Sequence, residues 1–121
     1  MTMISLNEHN DRFECEMLVG REEVTVSIDK PVSKEVLEKL IQIVEESAND
    51  LLSDSLKYIS ESAAERQIEY IDDFTEPLIM LDESTVSVLW CSEKGEEKGE
   101  AIIGVDFDTG SLTPFDLTIG D

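Results

Sequence analysis

Residues 33–67 read SKEVLEKLIQIVEESANDLLSDSLKYISESAAERQ, and this stretch decides the architecture. Leu37, Leu40, Ile41, Val44, Ala48, Leu51, Leu52, Ser55 and Ile59 recur at helical spacing and form one continuous stripe. Ser33 stands ahead of the stripe as an N-cap, its hydroxyl able to accept a bond from an orphan amide of the first turn. The stripe crosses Ser47-Ala48-Asn49-Asp50 without losing phase, which favours one helix. A helix from Lys34 to about Gln67 would be roughly 50 Å long, much longer than the short strands around it. A kink or short break is expected near Asn49 or between Ser60 and Ala64.

On either side the period changes to two. Upstream, Phe13, Cys15, Met17 and Val19 alternate with Glu14 and Glu16; after a turn over Gly20–Glu23, Val24, Val26 and Ile28 alternate with Thr25 and Ser27. The pair reads as a β-hairpin with one face on the core, ended by Lys30-Pro31. Downstream, Ile68–Pro77 reads as a transition, Leu78–Leu81 as a short strand and Asp82-Glu83-Ser84 as a turn. Thr85–Cys91 is the next strand, with Val86, Val88 and Trp90 on one side. A charged loop over Ser92–Gly99 leads to a fifth strand whose Ala101, Ile103, Val105 and Phe107 share a face. Asp108-Thr109-Gly110 turns the chain into a sixth strand ending near Ile119, and Pro114 places that strand at a sheet edge. The expected class is α+β: an N-terminal β-hairpin, one long or kinked helical region, and a C-terminal antiparallel meander packed against the helix. The 121 residues read as a single domain, 1–121, with 1–12 expected to be flexible.

The composition excludes some functions. The chain carries 29 acids against 9 bases, net charge −20. A protein that holds nucleic acid by neutralising phosphates is ruled out, and an anionic membrane surface is disfavoured as a partner. No stretch reads as a signal peptide or a membrane span, so a cytoplasmic location is expected. Cys15 and Cys91 are expected to be reduced there. With His9 they are too few for the usual four-ligand zinc set, and neither metal nor cofactor is expected.

Single motifs resolve to turn chemistry. Asp108-Thr109-Gly110-Ser111 has the form of an aspartic-protease loop, but the apolar-apolar-glycine element, Ile102-Ile103-Gly104, comes before it, and too little chain follows for a flap. A tight turn explains it, with Asp bonding its own backbone and Gly supplying positive φ. Asp106, Asp108 and Gly110 lack the further ligands of a calcium loop. No nucleophile–histidine set or phosphate-binding glycine loop is present, so an enzyme is not expected. The charge distribution says more: net −4 over residues 1–32, −8 over 33–76 and −8 over 77–121. On the helix, Glu46, Asp50 and Asp54 follow at four-residue steps, and each neighbouring like-charge pair costs a few tenths of a kcal/mol.

The strand Thr85–Trp90, then Gly99, Ile102 and Val105, and the Asp108-Thr109-Gly110 turn resemble a group of small bacterial α+β domains of unassigned function. Several of these are encoded beside polymorphic toxins and are treated as candidate immunity proteins. Where the group often has an aromatic-Gly-Gly-His segment, this chain reads Glu97-Lys98-Gly99-Glu100. The resemblance covers residues 78–119 and implies a domain that binds and silences a cognate toxin. Electrostatics points the same way, since an acidic inhibitor is steered to a basic groove. The expected partner is a basic protein, a toxin or a nucleic-acid-binding protein, with no direct contact to nucleic acid or membrane. The expected contact residues are Glu46, Asp50, Asp54, Asp72, Asp73, Phe74, Glu93, Glu96, Glu97 and Glu100, with Phe74 as an anchor. Two alternatives stand beside it: a DNA-mimic inhibitor with carboxylates along an extended ridge, and an enzyme of unknown type with perturbed carboxyl groups in a cleft.

Overall fold

The computed structural model describes residues 6–66, 74–93 and 101–120. Seven strands form one sheet in chain order: β1 (Asn7–Glu8), β2 (Arg12–Val19), β3 (Glu22–Asp29), β4 (Phe74–Leu81), β5 (Thr85–Ser92), β6 (Ile102–Asp108) and β7 (Pro114–Gly120). One helix, α1 (Lys34–Arg66), lies between β3 and β4 in sequence. Every neighbouring pair is antiparallel except β3–β4, where Thr25–Ile28 runs parallel to Leu78–Leu81. The hairpin and the meander are therefore parts of one sheet. Two adjacent parallel strands need a long crossover, and α1 is that crossover.

The expected kink is absent: α1 is one unbroken helix of 33 residues. Leu40, Val44, Ala48, Leu51, Leu52, Ser55, Ile59 and Ala63 are all buried, so its packed side stays in phase past both expected break points. A crossover helix has the whole sheet to lie on, and seven strands spaced about 4.8 Å apart span roughly 29 Å. It packs on β5, β6 and β7. Ser33 caps it as the sequence suggests: the Val36 amide donates to Ser33 Oγ at 3.2 Å and the Leu37 amide to the Ser33 carbonyl at 2.8 Å.

The core lies between α1 and one sheet face. The register aligns Cys15, Val26, Ile79, Val88, Val105 and Leu117 in one row across six strands, and all six are buried. A polar link crosses this interface between α1 and β5. The Trp90 indole N–H donates to Ser55 Oγ at 2.9 Å, and that hydroxyl donates to the Leu52 carbonyl at 2.7 Å. Ser55 and Trp90 are both buried, so removing the hydroxyl strands an indole donor away from water. Ser55→Ala is expected to cost about 1–3 kcal/mol, the penalty for a buried unsatisfied donor. Thermal melts followed by the fluorescence of the single tryptophan check this directly.

Three local features depart from the sequence reading. β1 pairs with β2 inside the N-terminal stretch expected to be flexible, and Lys30 Nζ, 2.6 Å from Glu8 Oε2, ties it down. β4 begins at Phe74, so the last part of the expected transition is strand; Pro77 sits beside a break in the β4–β5 register, and Glu76 takes φ 52°. A proline has no amide to donate, and an irregularity before the β3 ladder starts at Leu78 accommodates it. In the β6–β7 connection, Leu112, not Gly110, adopts the left-handed conformation, at φ 54°. Gly20 does so in the β2–β3 hairpin, at φ 64°, the first position of a two-residue loop where glycine is favoured. β7 is an edge strand, as Pro114 indicates.

Candidate acidic interface

Glu46, Asp50 and Asp54 are all exposed on α1, one turn apart along an unbroken ridge, with Glu46 also bordering a cleft toward Glu83. Gln42 donates its side-chain amide to Glu46 Oε1 at 3.0 Å, and no ion pair reaches the three carboxylates among the described residues. Glu93 is exposed at the end of β5. Phe74 is half-buried, its ring 6.3 Å from that of Trp90, which packs it onto the edge of the core. Asp72, Asp73, Glu96, Glu97 and Glu100 lie outside the described residues. Of the described members of the expected contact set, Glu46, Asp50 and Asp54 share one helix, and Phe74, opposite Ser92, lies at the same strand end as Glu93.

The salt bridges among the described residues gather at one end of the sheet. Arg12 pairs with Glu14 at 2.8 Å and with Asp11 at 3.1 Å, and Lys30 with Glu8. Lys30 also stands 4.7 Å from the centre of the Phe13 ring. Among the described residues no carboxylate of α1 or of β4–β7 joins a salt bridge.

The sheet face turned away from α1 carries a second acidic surface. Its rows are Glu14, Ser27, Met80, Ser87, Asp106, Asp116 and Glu16, Thr25, Leu78, Leu89, Gly104, Thr118, read strand by strand from β2 to β7. Leu78, Met80, Leu89, Cys91 and Ile102 are half-buried on it, and none belongs to the core cluster or packs against it. Ser87 Oγ donates to Asp106 Oδ1 at 2.6 Å. Asp116 stands directly opposite Asp106, a cross-strand like-charge pair that destabilises the sheet. Sequence reading passed over this face. Its signal was the run Leu78-Ile79-Met80-Leu81, apolar on both sides where a half-solvated strand would alternate.

A cleft of about 490 Å³ opens between α1 and the two turns at the ends of β4 and β6; Lys39, Glu46, Glu83 and Thr109 are among its lining. Two carboxylates in those turns have shifted acidity. Burial alone would raise Asp82, but bonds from the Ser84 amide, the Thr85 amide and the Ser84 hydroxyl outweigh it and hold it below the usual range. The Ser111 amide, its hydroxyl and the Gly110 amide lower Asp108 against a smaller opposing effect of burial. Both run in the direction of carboxylates kept ionised by turn bonds, opposite to that of a general acid. A carboxyl that binds protons more weakly when folded gives its full stabilisation above the ordinary aspartate value of about 3.9 and loses it as pH falls through the lower folded value. Stability is expected to drop below about pH 4 as these two carboxylates protonate. Replacing both with Asn should flatten that part of the curve in a pH series of thermal melts; an unchanged slope would mean the turns do not govern it.

Both cysteines are free thiols. Burial pushes each thiol up, with Glu14 beside Cys15 and Glu76 beside Cys91 adding to the effect. They lie on opposite faces of the sheet, on β2 and β5, whose separation of roughly 14 Å exceeds disulfide reach. Among the described residues no group of three His, Cys, Asp or Glu is placed to hold a metal, and no helix is long and apolar enough to cross a membrane. Compared with protein-family models, curated proteins and solved structures, the chain matches none.

Proposed function

We propose that this chain is an acidic protein-binding domain that recognises a basic protein, acting in the cytoplasm as an immunity-type inhibitor of a toxin. The observation that carries the reading is the placement of the countercharges. The ion pairs among the described residues lie around β1–β3, while Glu46, Asp50 and Asp54 stand exposed in a self-repelling column. A chain selected for stability alone would intersperse bases along that column. The resemblance over residues 78–119 supports the same reading. A basic substrate groove on the partner would be drawn to such a field and blocked by it.

A DNA-mimic inhibitor is the second reading, favoured by the unbroken length of α1: carboxylates four residues apart rise about 6 Å along the axis, an extended acidic ridge. One experiment separates the two. The domain is used to capture its partner from the source cell at low salt, released with a salt step, and then co-expressed with the neighbouring gene product. Recovery of that product, with rescue of growth, supports the toxin inhibitor. Recovery of a DNA-binding protein that duplex DNA displaces supports the mimic. Recovery of no basic protein overturns both.

A further inference from the structure

The basic-partner reading leaves open which surface docks, and the exposed helical column is not the best suited. Charges alone on a solvated helix supply steering and little grip, because affinity concentrates in apolar anchors shielded from water and ringed by polar groups. The sheet face away from α1 has that composition. Leu78, Met80, Leu89 and Ile102 occupy its middle strands, half-buried and apart from the core. Leu89 stands beside Gly104 of β6: a Cβ built there would lie 3.4 Å from Leu89 Cγ, in ordinary contact. Carboxylates stand on both flanks, Glu14 and Glu16 on β2, Asp106 and Asp116 on β6 and β7. Among the described residues Arg12 is the base on this face, and Asp11 and Glu14 already hold it, so Glu16, Asp106 and Asp116 are the carboxylates left without a base.

We propose that this face is the docking surface for the basic partner, its apolar middle receiving aliphatic or aromatic side chains and its flanking carboxylates receiving lysines or arginines. The assignment rests on the basic-partner reading and adds the site to it. Charge selects the occupant: a second copy of this chain would set Glu16, Asp106 and Asp116 against their own kind, whereas a cationic surface neutralises them. Size fits as well. Five strand spacings by a strand of seven or eight residues give about 24 by 25 Å, roughly 600 Å² before side-chain relief, near the ~800 Å² per partner of a stable complex. The Asp106–Asp116 pair gains a purpose: it costs the free fold stability and becomes favourable once a cation sits between the two carboxylates.

The test uses the full chain with labelled methyl groups and two probes of equal charge, oligolysine and a peptide alternating lysine with leucine and tryptophan. The alternating peptide is expected to shift the methyl signals of Leu78, Met80, Leu89 and Ile102 at physiological ionic strength, leaving those of buried Ile79 and Leu40 in place. Oligolysine should bind the face measurably only at low salt. Asp116→Lys, which pairs Asp106 within the sheet, should raise the melting temperature and weaken the alternating peptide about tenfold. Shifts confined to α1 around Glu46, Asp50 and Asp54 would overturn the assignment and leave the basic-partner reading standing. An Asp116→Lys protein that is more stable yet binds as well as the parent would also overturn the assignment. Binding of neither probe, even at low salt, would overturn both.

Discussion

Phe107→Ala is expected to lower the melting temperature by about 12–20 °C, the mark of a large cavity opened in a packed core. Phe107 is fully inaccessible and, among the described residues, the largest side chain with no exposure. It sits on β6 opposite Val86 of β5 and Pro114 of β7, where the β6–β7 register shifts. Neighbours fixed in two flanking strands cannot close in on the space the ring would leave, so the cavity penalty adds to the lost transfer energy. Such truncations cost about 3–5 kcal/mol, against a total stability of about 5–15 kcal/mol for a domain of this kind. Phe107→Leu keeps most of the volume and should cost less than half as much. Paired thermal melts decide it; an alanine variant melting within a few degrees of the parent would place Phe107 outside the core.

The second large effect is kinetic. A protein with Glu46→Gln, Asp50→Asn and Asp54→Asn should associate with the proposed basic partner about tenfold more slowly at low salt, because exposed charges act mainly on the encounter. Its dissociation rate should stay close to that of the parent, since these exposed side chains belong to α1, which covers the sheet face opposite the proposed docking surface. Gln at position 46 keeps an oxygen for the Gln42 amide, and removing like charges at four-residue steps stabilises the helix by a few tenths of a kcal/mol per pair. The fold is therefore intact while the rate changes. Asp116→Lys should do the reverse, raising the dissociation rate more than it lowers the association rate. Rapid-mixing kinetics on the two variants separate steering from docking; equal effects on both constants would merge the two surfaces into one.

The parts of this fold legible in the sequence are those where burial imposes a period. The α1 stripe, the alternation of Phe13 to Val19, the Ser33 cap and the edge position of Pro114 follow from helix and strand geometry residue by residue. The features that escaped it depend on neighbours in space. Asn7 and Glu8 have no strand signature and pair because β2 offers an open edge and Lys30 lies within reach of Glu8. Pro77 reads as a strand break, yet a register shift lets the chain carry it. The turn after β6 contains a glycine, but the left-handed residue is Leu112, whose half-buried side chain packs on the core. The helical part of the candidate site was visible as a charge column. The sheet face was not, because Asp106 and Asp116 are distant enough in sequence that only the β6–β7 register sets them opposite each other.

The central claim is that the acidity of this chain is a recognition surface and not a solubility device. The association rate constant with the basic protein captured from the source cell, measured across a series of ionic strengths, tests it most directly. A recognition surface requires a fall of at least about tenfold from low salt to physiological ionic strength, where the screening length shortens to about 8 Å. An association rate that does not change with salt would contradict it.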